Sequence, residues 1–504
     1  MAETKREIER KYDAPGPEFR LPDLRKVPGV ADTDARGVVE LDALYYDTPD
    51  QRLAAHGITL RRRTGGADAG WHLKLPVAKT DGARDEIRAP LQDTVPPELT
   101  RLVRAHLRDT ALVPVVRLRS ARDVTLLAAP DGTTLAEVSV DAVRAERADG
   151  AAATAWTEIE VELADDADPA VLDRVEKRLR KAGVDRSAAS SKLARALAET
   201  GAGGPATAPA AGPVTAGDHV LARLRAQRDA LLAHDPAVRR DLPDAVHQMR
   251  VAARRTRSAF KTYKKVLDPA VTAPVAEELK WLGAELGTDR DHEVLTGRIT
   301  GRVDAVPATL LLGPVRARTK IWALHGVRDS RERTLGVLDS ARYLALLDAL
   351  DALLADPPLL PRASRAAPDV LARAALKDRD RLGARIAHAL SLEPGTERDL
   401  ALHDARKAAK RARYAGETAR PALGKKAGRF AKRMKAVQSL LGDHQDSVVA
   451  RDTLRQLAVQ AHAAGESAFT WGLLYGEEHA AATAGERALP GVWGRAAGAD
   501  LPAG

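Results

Sequence analysis

Cysteine is absent from the 504 residues, which excludes disulfides, thiolate metal ligands and a cysteine nucleophile. Aromatic residues make up only 3% of the chain, too few to furnish rows of base-stacking platforms. Nucleic acid is therefore not the expected partner, even though the net charge is +9. No apolar run approaches the roughly 18 residues of a membrane helix, and no membrane partner is expected. The opening MAETKREIERKYDA lacks the apolar stretch of a secretory signal. The expected compartment is the cytoplasm.

What is present divides in two. At roughly 100–200 residues per domain the length calls for two to four domains. Residues 1–200 hold 32 basic and 35 acidic side chains; the remainder holds 47 and 35. A net of −3 beside a net of +12 predicts two units with different tasks. Between them ETGAGGPATAPAAGPVTAG offers no apolar face to bury and reads as a linker. The first part is rich in period-two alternation: EIERKYDA, VVELDALYYD, ITLRRRT, WHLKLPV, VVRLRSARDVTLL, TLAEVSVDAV and WTEIEVEL. Two stretches, Pro97–Leu107 and Pro169–Ala182, read as helices. This is an α+β pattern with a large antiparallel sheet, closable into a barrel. The second part repeats apolar residues at three and four and reads as helical bundles.

Successive strand side chains point to opposite faces, so Glu7, Glu9 and Lys11 share one face. Glu158, Glu160 and Glu162 share another, with Ile159, Val161 and Leu163 behind them. Arg61 pairs in this way with Arg63, Arg117 with Arg119, and His72 with Lys74. A solvated outer sheet face accounts for any single strand. Three glutamates on one face repel one another, however, and are best tolerated around a hard divalent cation. Arginines and lysines on neighbouring strands offer donors to phosphate oxygens. Together they suit a substrate with adjacent phosphates, with the apolar alternates packing outward against helices.

EIERK (Glu7, Glu9, Lys11) resembles the ExExK signature of the CYTH superfamily, the triphosphate tunnel metalloenzymes. The likeness continues in order through YYDTPDQRLAAHGITLRRR, WHLKL, RDEI, VVRLRSAR, LAEVSVD, WTEIEVEL and SSKLARAL. The resemblance implies an antiparallel barrel forming a tunnel, residues 1–198, that binds a triphosphate and needs Mg2+ or Mn2+. It implies a metal cluster of Glu7, Glu9, Glu158 and Glu160, with Glu162, Glu137 and Asp141 as weaker candidates. Lys11, Arg61, Arg63, Lys74, Arg84, Arg117, Arg119 and Lys192 would line the phosphate path, and Glu158, Glu160 and Lys11 would carry catalysis. Arg88 follows Glu86 by two, where some members carry a second acid.

The second part contains an internal repeat. HQMRVAARRTRSAFKTYKK begins at His247 and HDARKAAKRARYAGETAR at His403. Basic residues follow each histidine by three, seven and ten: Arg250, Arg254 and Arg257, then Arg406, Lys410 and Arg413. On a helix these fall within roughly 80° of one face. Like charges at such spacing destabilise a helix unless an anion compensates. LGTDRDHEV and LGDHQDSVV follow the two copies. The pattern resembles the CHAD domain, the conserved histidine α-helical domain. It implies two four-helix bundles over residues 218–490 facing a basic groove that binds inorganic polyphosphate. Residues 199–217 would then be the linker and 491–504 a C-terminal tail. His247, Arg250, Arg254, Arg257, His403, Arg406, Lys410 and Arg413 are the matched positions. The histidines read equally well as core residues that orient the stripe.

The combined expectation is a metal-dependent triphosphatase acting on inorganic triphosphate or a relative, coupled to a polyphosphate-binding module. One alternative is a non-catalytic polyphosphate-binding protein associated with polyphosphate granules. Another is an adenylate cyclase, for which no adenine pocket is identifiable.

Overall fold

The computed structural model describes residues 3–16, 19–77, 82–201, 212–325, 330–498 and 501. The chain forms two units, Met1–Ala210 and Ala211–Gly504. Most of the expected linker, 202–211, and part of the expected tail lie outside the described residues.

The first unit contains β1 (Glu3–Asp13), β2 (Asp32–Asp47), β3 (Thr59–Thr64), β4 (Gly70–Pro76), β5 (Ala83–Ala89), β6 (Val113–Ala128), β7 (Thr134–Arg147), β8 (Ala153–Leu163) and β9 (Asp185–Arg186). Its helices are α1 (Arg52–Ala55), α2 (Pro97–Leu102), α3 (Arg104–Leu107), α4 (Ala170–Arg180) and α5 (Lys192–Glu199). The strands run β5-β4-β3-β2-β6-β7-β8-β1-β9, and β5 also pairs with β1. Eight antiparallel strands therefore close into a barrel, which leaves those strands no unpaired edge. The RDEI segment, read from the sequence only as a motif, is most of β5, the strand that meets β1.

Alternation sorts the barrel's side chains. Ile159, Val161 and Leu163 of β8 and Tyr12 of β1 pack outward under Val171, Leu172, Val175 and Leu179 of α4. Leu60, Trp71, Leu73 and Ile87 pack outward under Leu53, Leu99, Val103 and Leu107 of α1–α3. The stretch read as one helix over Pro97–Leu107 is broken at Val103, which caps α2. Helix α5 was not expected from periodicity. Its Leu193, Ala196 and Leu197 pack against Tyr45, Val116, Leu118, Val143 and Trp156. These barrel residues have the inward parity, so α5 seats in one mouth of the barrel.

The second unit is helical. It contains α6 (Ala216–Arg239), α7 (Ala245–Thr262), α8 (Pro269–Glu285), α9 (Gly287–Ala305), α10 (Val315–His325), α11 (Ser330–Leu338) and α12 (Ala341–Ala355). It continues with α13 (Ala367–Ser391), α14 (Thr396–Ala463) and α15 (Phe469–Ala497). Helix α6 opens with a reciprocal capping box between Thr215 and Asp218. Helix α14 is two helices meeting at Gly424, whose φ of 59° only glycine adopts freely. Helix α15 runs on through 491–497, into the segment expected as a tail. Helices α6, α7, α13 and α14 touch one another, which makes the two histidine-led helices neighbours. Ile299 and Val303 of α9, Val315 of α10, Leu454 and Leu457 of α14, and Trp471 and Leu474 of α15 form a separate core. No helix among the described residues is long and apolar enough to cross a membrane.

Candidate functional site

The interior of the barrel has two zones. At the α5 mouth it is an apolar core; beyond Lys192, the first residue of α5, it is a polar cavity of about 310 Å³. Nine of the lining side chains are Lys or Arg and seven are Asp or Glu. A simple anion pocket has no use for seven acids, whereas a polyanion bound with a divalent cation needs both signs.

One wall is built by register. Pairing of β7 with β8 sets Asp141 opposite Glu158 and Ser139 opposite Glu160. Asp141, Glu158 and Glu160 each bring an oxygen within 4.8 Å of the others. The ammonium of Lys192 lies 2.8 Å from Asp141 Oδ2, 2.8 Å from Glu158 Oε1 and 2.7 Å from Glu160 Oε1. Arg122 donates to both oxygens of Asp141 at 2.8 Å and to Glu160 at 2.6 Å. Lys11 pairs with Glu160 and lies 3.1 Å from Glu9. Trp156 Nε1 donates to Glu158 Oε2 at 2.6 Å. Burial alone would raise the Glu160 pKa, but Lys11, Lys192 and Arg122 hold it well below the ordinary range. Glu9 is likewise held down to about 2, where Lys11 and Lys74 outweigh burial. The Lys192 pKa stands above its ordinary value, because the three carboxylates outweigh its burial.

The cluster suits a hard cation. Its donors are all carboxylate oxygens, and Glu158 Oε1 is buried without a hydrogen bond despite the nearby ammonium. Lys192 now supplies the positive charge at that point.

The facing wall carries β3, β4 and β5. Lys74 lies 2.5 Å from Glu7, and Arg88 Nε lies 2.5 Å from Glu86. Arg61 Nη1 donates to Tyr45 at 3.2 Å, and Arg63 pairs with Asp68. Arg84 lines the cavity and anchors on the Gly57 carbonyl at 2.6 Å. Burial raises the Glu7 pKa in spite of Lys74.

The structure separates some residues that the sequence grouped. Glu7 and Glu9 line the cavity, but the tight acidic group is Asp141, Glu158 and Glu160. Arg117 and Arg119 do not reach the cavity. They lie on the outer face beside Asp42, which Arg117 approaches to 2.5 Å, and their side chains are 48% and 51% exposed. The inward arginine of β6 is Arg122, of opposite parity, at the end of the same VVRLRSAR motif.

In the helical unit a groove of about 700 Å³ runs between α7, α13 and α14. Arg254, Arg257, His403 and Lys410 line it. Arg250 and Arg406 turn to the glycines of the two LG pairs. A β-carbon on Gly287 would meet Arg250 Nη2 at 3.1 Å, and one on Gly442 would meet Arg406 Nη2 at 3.5 Å. Arg250 Nη1 donates to the Gly287 carbonyl at 3.1 Å, and Arg406 Nη1 lies 3.4 Å from Asp446. The chain breaks between α8 and α9 at Leu286-Gly287 but stays helical at Leu441-Gly442. Arg413 is engaged by Glu417 at 2.8 Å and Gln438 at 3.1 Å, and His247 is half-buried off the groove wall. Burial, with Arg406 and Arg254 close by, lowers the Lys410 pKa to about 7. Sequence reasoning missed Arg381 and Arg385 of α13, which line the groove. Their i,i+4 spacing with Lys377 was the available signal.

His444 sits 3.1 Å from Glu486 and 3.4 Å from Asp399. Both acids already hold an arginine, Arg398 at 2.9 Å and Arg451 at 2.9 Å, so this group reads as a cross-link between α14 and α15.

Family models match at two places: the CYTH domain at residues 5–197 and the CHAD domain at residues 222–455. A protein of Mycobacterium tuberculosis H37Rv, named there only as uncharacterized, is 40% identical over 489 residues, covering 94% of this chain and 92% of that one. Among solved structures, PptA from Streptomyces chartreusis is 23% identical, with a TM-score of 0.47, over 56% of this chain and 99% of that one. The CHAD domain from the plant Ricinus communis is 27% identical, with a TM-score of 0.43, over 55% and 93%.

Proposed function

Because the chain belongs to the CYTH family through its first unit and to the CHAD family through its second, we propose a metal-dependent triphosphatase joined to a polyphosphate-binding module. The observation that carries the catalytic half is the convergence of Asp141, Glu158 and Glu160 inside a closed barrel, with Glu160 lining the same cavity as Arg61 and Lys74.

Phosphoryl transfer asks for positioning and charge neutralisation more than for covalent chemistry. Arg61, Lys74, Arg84 and Arg122 bind and orient the non-bridging oxygens of a triphosphate. Mg2+ or Mn2+, held by Asp141, Glu158 and Glu160, would supply Lewis-acid polarisation of those oxygens. Glu7, whose pKa burial raises, accepts a proton as water adds to the terminal phosphorus. The bond from that phosphorus to the bridging oxygen breaks, giving orthophosphate and diphosphate. The groove of the second unit presents cations from both repeat copies to a longer phosphate chain, raising its local concentration near the barrel.

The test is Glu158→Gln with Glu160→Gln. Phosphate release from tripolyphosphate with Mg2+ or Mn2+ is expected to vanish while the barrel stays folded by circular dichroism. Full activity in the double variant would refute the assignment. One observation favours a second, non-catalytic reading: Lys192 already pairs with all three acids, with Arg122 and Lys11 beside it. No phosphate release from the wild-type chain with either metal would establish that reading.

A further inference from the structure

The helical unit has a second basic cavity, of about 280 Å³, where residues following α7 meet the start of α13. Lys264, Lys265, Arg362, Arg365 and Lys377 line it. Together with Lys261 these five make no ion pair among the described residues, although Asp369, Arg373 and Asp378 line the cavity as well. Like charges crowded on a concave surface repel one another unless an anion is present. Lys261 and Arg381 belong to this cavity and to the groove alike, so the two share a wall.

The junction is built around one acid. Asp378 is 3% exposed. It accepts from Thr262 Oγ1 at 2.6 Å and from Arg381 Nη1 at 2.6 Å, and it pairs with Arg411 Nε at 3.0 Å. Those three partners come from α7, α13 and α14, so Asp378 pins the rim between groove and cavity. Its charge is spent on them, and a polyanion leaving the groove crosses no unneutralised carboxylate there.

Resting on the polyphosphate reading of the groove, we infer that this cavity is a second phosphate subsite, filled only by chains long enough to pass over the Asp378 rim. A small anion gains nothing from a run of cations that spans two cavities. A linear polymer charged at every phosphate gains from each cation it reaches, and its affinity climbs with length until the run ends. Tripolyphosphate is satisfied within the groove; a long condensed chain continues to Lys264, Lys265 and Arg365.

The experiment uses the full chain, in EDTA so that no ligand is hydrolysed, and measures affinity across polyphosphates of graded length. The barrel's share is common to every protein compared and cancels in the differences. Lys264→Ala with Lys265→Ala and Arg365→Ala, all exposed, is expected to weaken long-chain binding about tenfold, roughly 1.4 kcal/mol. It should reduce the slope of log affinity against log salt by about two to three and leave tripolyphosphate untouched. Arg254→Ala with Lys410→Ala is expected to weaken both ligands. Long-chain affinity in the first variant equal to wild type would overturn the second subsite and leave the groove standing. Unchanged binding in the groove variant would remove the groove reading, and this inference with it. Equal competition by duplex DNA at matched salt would overturn the assignment to condensed phosphate.

Discussion

The charge on Lys410 is disfavoured where it sits in the groove. Its pKa is lowered from 10.5 to about 7, by burial first and then by Arg406 and Arg254. At about 1.4 kcal/mol for each tenfold change in acidity, that drop corresponds to roughly 5 kcal/mol, an upper limit because mobile anions screen the groove. The sign follows from proton counts. Between about pH 7 and 10.5 the unfolded chain keeps the Lys410 proton and the folded one has lost it, so this residue's contribution to stability rises with pH in that window. Below about pH 7 the ammonium is charged in both states and the full cost is present. Lys410→Met removes the charge and keeps most of the aliphatic stem. Near pH 6, without polyphosphate, the variant should unfold several degrees higher than wild type, at roughly 2–4 °C per kcal/mol. The gap should close towards about pH 10. Long-chain polyphosphate should reverse the order near pH 6, because the wild-type ammonium then gains its anion. Thermal unfolding by circular dichroism and calorimetry reads all of these. A gap of the same size at both pH values, or a variant less stable near pH 6 without ligand, would refute the electrostatic account.

Two further tests probe the barrel. Arg122→Ala leaves the fully buried Asp141 with a vacant bidentate partner and should cost about 3 kcal/mol in urea unfolding, whereas Arg117→Ala with Arg119→Ala should stay within about 0.5 kcal/mol. Equal losses would contradict the inward and outward assignment of β6. Lys192→Met strips the ammonium from Asp141, Glu158 and Glu160, so Mg2+ or Mn2+ should raise the melting temperature of this variant more than that of wild type. An equal response to metal would show that the three acids are not the cation site.

Period-two alternation exposed most of the barrel in the sequence. Glu7, Glu9 and Lys11, and Glu158 and Glu160, do face inward, with Ile159 and Val161 outward under α4. Alternation gives a face but not a height, and the height of each residue follows from pairing between strands distant in sequence. Asp141 therefore looked secondary until the β7–β8 register set it beside Glu158. The same blindness favoured the conspicuous pair Arg117 and Arg119 over the lone Arg122, although parity along the strand separates them. The plug formed by α5 was missed because eight residues give too short a helical period to read against a Ser- and Ala-rich surround. In the helical unit the duplicated stripes were legible because they occur twice, while Arg381 and Arg385 stand on a helix that carries neither copy of the repeat. Arg250 and Arg406 belong to the stripe by spacing, but the bare glycines 287 and 442 draw their guanidiniums aside.

Of the barrel's strands, the first to be translated is also its seam. β1 hydrogen-bonds to β5 on one side and β8 on the other, and Lys11 meets Glu160 across 149 positions of sequence. During synthesis β1 must wait, with Glu7, Glu9 and Lys11 still in water, until β8 has emerged. Closure is then a late, long-range event of the kind that folds slowly. A chain halted before β8 would expose one edge of β1 to other nascent chains, so the order of translation itself sets the interval in which this protein is most prone to aggregate.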